Sequence, residues 1–331
     1  MGVCGETETA LSFGDPRSEF CALRTDAGVF DLSTHAKIIA SGRDRVRWLN
    51  GMVTNNIRDL ADNRGVYNFL LTPQGRIQGD LYVYRRGEQF VLDIEREQAA
   101  RILELLRKYI IMDQVELTPA DDKLTAIGVV GPRSAEVVRS NRCEVSNLEP
   151  LQVQDCGECI AVRRPAEFGE GFELWTTPNQ APALWQKLVA AGATPVGAEA
   201  LERYRIARGI PRVGPDIRER ELPQETGQMR ALNFTKGCYI GQEIVERIRS
   251  RGAVHRQFTG FVVEGDPPAA GTKVQADGKE VGEITSAASV QSSTGLKSLA
   301  LGYVRREAGA AGTAVDLGGV QAVVSALPFT V

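Results

Sequence analysis

Alternation of apolar and polar positions picks out strands at the start of the chain. Ala36 to Ser41 predicts a short strand that leaves through Gly42 into a helix over Arg43 to Asn50, with Val46 and Leu49 inward and Gly51 just past its end. Val66 to Leu71 and Arg76 to Tyr84 flank Thr72-Pro73-Gln74-Gly75, a turn signal that predicts a hairpin. Phe90 to Ile94 adds a strand before the helical period of Glu95 to Tyr109. The order then begins again. Leu124 to Val130 runs into Gly131-Pro132, a helix around Ser134 to Arg139, strands near Leu151 to Asp155, Cys159 to Arg163 and Phe172 to Trp175, and helices from Ala181 and Gly197. Two such runs, about 90 residues apart, hint at a duplicated α+β unit.

After Arg251 the character changes. Phe258 to Val263, Thr272 to Gln275, Lys279 to Thr285 and Ser298 to Val304 are short strand-like runs separated by Gly, Pro and Asp, without helical periodicity, which predicts a small barrel or sandwich. The expected architecture is therefore an α+β body over residues 1–250, with subdomains roughly 28–120 and 121–250, followed by a C-terminal β-barrel over 251–331.

A chain of 331 residues, 43% hydrophobic and 24% charged, has the composition of an ordinary globular protein able to bury a large core. No apolar run reaches membrane-spanning length, and the first twenty residues lack the order of a signal peptide, so the expected location is the cytoplasm. The net charge of −3 argues against a generally basic nucleic-acid-binding surface. Arginine is nevertheless concentrated, at 203, 205, 208, 212, 218 and 220 and again at 247, 249, 251 and 256. Such forks suit carboxylates, phosphates or an RNA backbone, and equally suit solvated helix faces.

The cysteines, at 4, 21, 143, 156, 159 and 238, are scattered and are expected to be reduced thiols rather than a disulfide framework. Cys156-Gly157-Glu158-Cys159 has the spacing of a metal or redox pair, but no second pair accompanies it, and His35 and His255 are the only histidines. It is expected to form a hairpin turn, and no metal ligands are assigned. A metal site there would have to recruit Cys143 or Cys238 from a distance.

Lys236-Gly237-Cys238-Tyr239-Ile240-Gly241-Gln242-Glu243 is the stretch richest in chemistry. Ile240, Ile244 and Ile248 recur every fourth residue, which predicts a helix starting near Gly241 with Cys238 just ahead of its first turn. There the unpaired N–H groups favour a thiolate, Lys236 is the nearest cation and Glu243 the nearest acid. The octapeptide resembles the K-G-C-Y-x-G-Q-E signature of the YgfZ family, folate-binding relatives of the glycine-cleavage T-protein linked to iron–sulfur enzyme maintenance and tRNA modification.

Other segments carry the same resemblance. Leu49 to Asn56 and Phe69 to Arg76 look like that family's helix exit and hairpin, Gly169 to Trp175 like the segment whose glutamate binds the folate ring, and Ala200 to Pro211 like the helix and turn that follow. The resemblance implies tetrahydrofolate or a derivative as ligand, with Glu173 accepting the pterin's N–H donors, Arg205 toward the glutamate tail, and Tyr67, Phe69 and Trp175 able to stack on the ring. It also implies iron–sulfur client or assembly proteins as partners, a transient iron–sulfur cluster, and an indirect tie to tRNA. One departure stands out. Where T-proteins carry two consecutive aspartates on the hairpin's second strand, this chain has Gly79 and Asp80, so the expected activity moves away from aminomethyl transfer and toward support of iron–sulfur enzymes through Cys238. The alternatives are a true tetrahydrofolate-dependent aminomethyltransferase and a non-catalytic RNA or assembly adaptor.

Overall fold

The computed structural model describes residues 2–4, 7–252 and 254–331. Packing divides the chain into two units: unit 1 comprises Met1–Leu71, Gln78–Ala198 and Arg230–Ile240, and unit 2 comprises Thr72–Ile77, Glu199–Met229 and Gly241–Val331. This partition differs from a linear boundary at residue 250, because residues 199–229 and the helix that opens at Gln242 pack with the barrel. No helix of the described residues is long and apolar enough to cross a membrane.

Unit 1 begins with a small ribbon, β1 (Gly2–Cys4) on β2 (Thr7–Thr9), and α1 (Pro16–Thr25), capped by Asp15, which accepts from the N–H groups of Arg17 and Ser18. β3 (Gly28–Asp31) follows. The first repeat is β4 (His35–Ser41), α2 (Arg45–Met52), β5 (Gly65–Leu71), β6 (Ile77–Arg86), β7 (Gln89–Glu95), α3 (Arg96–Lys108) and β8 (Glu116–Pro119). The second is β9 (Thr125–Val130), α4 (Ser134–Arg139), β10 (Val153–Asp155), β11 (Ile160–Arg163), β12 (Gly171–Thr176), α5 (Ala181–Ala190) and β13 (Thr194–Pro195). Their sheets are ordered β5-β6-β7-β4-β8 and β10-β11-β12-β9-β3-β13, the same path twice, with β3 inserted between β9 and β13 in the second. The duplication hinted at by the sequence is thus visible in the topology. Gly42 and Gly131 mark its equivalent strand exits at φ +99° and +129°, and a Cβ on either would lie 2.1 or 2.2 Å from a backbone oxygen.

Each sheet has an apolar face and a face of different character. Leu81, Val83, Leu92 and Ile94 form one core with Trp48 and Leu49 of α2 and Ile102 and Leu106 of α3. Phe172, Leu174 and Val129 form another with Val137 and Val138 of α4 and Leu184 and Leu188 of α5. The remaining faces meet each other: the Tyr84 ring stands edge-on to Trp175 of the other sheet at 5.0 Å, and Lys37 Nζ lies 5.2 Å from the Trp175 centroid. Tyr84 and Lys37 belong to the strand faces that alternate with Leu81 and Ile38.

The helix expected over Arg43 to Asn50 spans Arg45–Met52, so Gly51 lies inside it rather than just past its end.

Unit 2 contains α6 (Ala198–Ala207, from Glu199 onward), α7 (Gln242–Arg251) and the closed barrel β14-β17-β16-β15-β18-β19, with β14 Arg256–Val263, β15 Lys273–Ala276, β16 Lys279–Ser292, β17 Gly295–Arg305, β18 Ala314–Asp316 and β19 Gln321–Ser325. The α+β architecture with two subdomains and a C-terminal barrel is the one expected. β16 continues past Thr285, where alternation resets at a register shift between Ile284 and Ser286. In α7, Val245 is the buried residue, with Ile244 and Ile248 half-buried beside it.

Candidate functional site between the sheets of unit 1

Strand alternation places Asp80, Tyr82 and Tyr84 of β6 on the face that looks toward the second sheet. Tyr67 Oη donates to Asp80 Oδ2 at 2.7 Å and Gln98 Nε2 donates to Asp80 Oδ1 at 3.0 Å. Burial raises the Asp80 pKa above its ordinary value, and the two hydrogen bonds only partly offset that. The Tyr67 and Tyr82 rings pack at 4.9 Å, and burial lifts the Tyr82 phenol to about 12. Arg230 lies over Tyr67, 4.5 Å from the centroid, donates to Tyr82 Oη at 3.2 Å, and pairs with Glu167 at 3.3 Å.

Glu173 and Trp175 sit on the facing sheet, one residue apart on β12, and Trp175 Nε1 donates to Glu173 Oε2 at 3.3 Å. Trp175 is 1% exposed between Tyr84 and Lys37, so its ring belongs to the core of the layer rather than to an open stacking surface. Phe69 is fully buried as well.

Several residues in this layer carried no sequence signal strong enough to single them out. Lys37, fully buried, pairs with Asp93 at 2.7 Å, and His35 Nδ1 lies 3.0 Å from the same carboxylate oxygen. Lys37 and His35 hold Asp93 well below the usual carboxylate range against the cost of its burial. For His35 burial opposes the charge, but Asp93 outweighs it and the pKa is raised. Arg164 follows β11. Its Nη1 lies 3.7 Å from Glu173 Oε1, beyond hydrogen-bond reach, and among the described residues its Nε and Nη1 have no hydrogen-bond partner although both are buried. Phe168 and Phe30 flank the guanidinium at 4.5 and 5.5 Å. Period-two spacing along β4 and β6 was the signal that could have gathered Lys37, Asp80 and Tyr82.

Gly79 faces the other way. A Cβ there would meet Gln98 Oε1 and Ile102 Cδ1, each at 2.8 Å, on the side covered by α3. Consecutive strand residues point to opposite faces, so an acid at 79 would start out on the α3 side, although the Gln98 side chain touches both positions.

Arg205, expected at a folate tail, is committed elsewhere. In unit 2 its Nε and Nη2 donate to Glu202 at 2.9 and 2.6 Å, Nη1 donates to Asp216 and to the Ile210 carbonyl at 2.6 Å each, and Nη2 also donates to Ser286 at 3.0 Å. All of its N–H groups are thereby used. The β16 bulge turns both Thr285 and Ser286 onto Oδ1 of the same fully buried Asp216.

The Lys236 ammonium is likewise structural. It donates to the carbonyls of Asn50, Val53 and Asn55 at 2.6, 2.7 and 2.6 Å, tying the loop to the end of α2 and leaving no N–H for the Cys238 thiol. Burial, with Arg58 adding to it, presses its pKa down to about 7. Ile240 N–H donates to Gly51 O at 3.2 Å, and Tyr239 is buried. Cys238 itself is exposed, three residues ahead of Gly241, the N-cap of α7. Glu243 is exposed and pairs with Arg247 at 2.7 Å.

The expectation of reduced thiols is corrected at one place. The predicted hairpin forms between β10 and β11, and it brings Cys156 against Cys143, to which it is disulfide-bonded with Cα atoms 5.0 Å apart. Cys21, Cys159 and Cys238 are free, and the thiol of Cys4 lies outside the described part of the structure.

A duplicated α+β body with buried acids between its sheets, joined to a closed barrel, defines the class, and the chain belongs to the glycine-cleavage T-protein (GcvT) family. Residues 5–236 match the GCVT N-terminal domain and residues 256–330 match the glycine cleavage T-protein C-terminal barrel domain. The chain is similar to an aminomethyltransferase of Geobacillus kaustophilus, 29% identical over 95% of this chain and 88% of that protein. It is also similar to a chloroplastic protein of Arabidopsis thaliana named only as a transferase, 27% identical over 99% and 77%. The crystal structure of glycine cleavage system aminomethyltransferase T from Bartonella henselae shares the fold, with a TM-score of 0.91 at 23% identity over 99% of this chain and 93% of that one.

Proposed function

We propose that this protein binds a reduced folate against the inter-sheet layer of unit 1 and acts on the one-carbon group that the folate carries, in the manner of an aminomethyltransferase. The observation that carries this reading is Asp80, a buried acid held above its ordinary pKa beside Tyr67 and Tyr82. A protonated carboxyl there can hand a proton to an amine departing from a methylene on the folate nitrogen. Glu173 suits the adjacent N–H donors of a pterin edge, because it receives one long bond from Trp175 and none from Arg164. The N–H groups on Nε and Nη1 of Arg164, unpartnered among the described residues, suit an acceptor oxygen on the same ring. Folate supplies the nitrogen that takes the one-carbon unit, while these residues orient the ring and hold the proton.

Tetrahydrofolate at about 100 times its dissociation constant is expected to stabilise the fold by roughly 2.7 kcal/mol. Glu173→Ala should lose most of that protection. Asp80→Asn should keep binding yet lose transfer when reconstituted with the other glycine-cleavage components. A wild type that tetrahydrofolate does not protect would overturn the reading.

A second reading rests on Cys238, a thiol exposed on a loop that Lys236 and Ile240 clamp in place. Such a fixed thiol can serve a macromolecular partner as nucleophile, transient cluster ligand or redox contact, and the function would then be support of iron–sulfur enzymes, including those that modify tRNA. Cells lacking the native protein and complemented with Cys238→Ala provide the test. Joint loss of an iron–sulfur enzyme activity and a thiolated tRNA base supports this reading, and full complementation removes it.

A further inference from the structure

Three cysteines meet on the helix-facing side of the second sheet of unit 1, away from the Glu173 face. Cys143 and Cys159 belong to the apolar core there and Cys156 packs against it. Their sulfur atoms all lie within 4.8 Å of one another. The hairpin after β10 supplies Cys156 and Cys159, and Cys143 comes from the loop after α4.

We propose that Cys143, Cys156 and Cys159, once the Cys143–Cys156 bond is reduced, form a three-thiolate site for a thiophilic d10 cation such as Zn2+ or Cu+. Thiolates about 2.3 Å from a tetrahedral zinc lie about 3.8 Å apart, so after reduction Cys143 and Cys156 must separate by about 2 Å while Cys159 closes by about 1 Å at most. Gly157, at φ +80° with nothing within 4 Å of its Cβ position, gives the hairpin room for that adjustment. Cys156 is the partly exposed member, so solvent reaches the ion from its side and can fill zinc's fourth position, whereas Cu+ needs three sulfurs alone.

Disulfide and metal exclude each other at this site. A dithiol passes two electrons and two protons to the Cys143–Cys156 bond, becoming a disulfide itself and leaving two protein thiols. Binding of the ion then releases the three thiol protons to solvent. Occupancy therefore follows the redox state of the pair.

The test uses the full chain, reduced and freed of reductant under anaerobic conditions, titrated with Zn2+ and separately with Cu+ against chromophoric chelators. One equivalent of either ion should bind to the reduced protein, and Co2+ substituted for Zn2+ should show thiolate-to-metal charge transfer. Cys159→Ser should weaken binding by more than about 100-fold, since loss even of an outer-shell partner costs 10–100-fold. Cys21→Ser and Cys238→Ala should retain it. The Co2+ spectrum of the wild type keeps the test valid even if Cys159→Ser folds poorly. Absence of both ions from the reduced wild type, undiminished affinity in folded Cys159→Ser, or equal affinity in the oxidised protein would each overturn the proposal.

Discussion

Two buried arginines, Arg205 in unit 2 and Arg164 in unit 1, are similarly shielded from water and answer to different demands. Arg205 is saturated by Glu202, Asp216, Ser286 and the Ile210 carbonyl. Arg164 stands near one carboxylate at 3.7 Å, and among the described residues its Nε and Nη1 have no hydrogen-bond partner. A buried donor left without a hydrogen-bond partner costs free energy, which makes these nitrogens the ones able to take up a ligand's acceptor. Arginine in a sequence signals neither case, because partners decide which one holds.

The comparison breaks most sharply at Arg205. Arg205→Met should leave Asp216 buried without its counter-charge and lower stability by about 3–5 kcal/mol in urea unfolding. Its effect on folate affinity should not exceed what the lost stability explains. At Asp80, Asn substitution should leave stability nearly unchanged but reduce transfer by about 10²–10⁴-fold in single-turnover kinetics. For Arg164→Met the expectation reverses that of Arg205: a stability loss under about 1.5 kcal/mol, since no hydrogen bond disappears, with folate affinity falling about 10–100-fold by calorimetry.

His35 sharpens the same contrast through pH. Its folded-state pKa is raised above 6.5, so the stability it contributes is fully present below about pH 6.5 and is lost as pH rises through the folded value. Unfolding measured from about pH 6 to about pH 9 should show this decline in the wild type and a flatter profile in His35→Gln. The smallest effect is expected at Cys238. Ala substitution there should change stability by less than about 0.5 kcal/mol, and limited alkylation with peptide mapping should label Cys238 ahead of half-buried Cys21 and buried Cys159.

Much of the fold was legible because turns and alternation are local. Thr72-Pro73-Gln74-Gly75 announced its hairpin, and the strand, glycine, helix order appeared twice. β18 and β19 escaped because three- and five-residue strands give too few alternations to register. Within the candidate site, Asp80 and Glu173 were readable through family resemblance, whereas Lys37, Asp93 and Arg164 acquire meaning only when separate strands align. Lys236 misled for the same reason: its neighbour in sequence is a thiol, but its neighbours in space are three carbonyls at the end of α2. Cys143 and Cys238 both stood in the sequence as thiols that could join the later pair, and only the folded hairpin brings Cys143 to it.

The opposite facing of Gly79 and Asp80 has a consequence for how this lineage can change. An acid entering at 79 must displace the side-chain ends of Gln98 and Ile102, and Gln98 is also a donor to Asp80. Residues 79, 98 and 102 therefore form one block of epistasis. Trimming Ile102 to valine first should cost about 0.5–1.5 kcal/mol, a step that selection can tolerate. Introducing the carboxylate first would bury it without a partner, at a cost of several kcal/mol. In a library evolved from this chain, acids at 79 should arise on backgrounds already smaller at 102, and rarely in the reverse order.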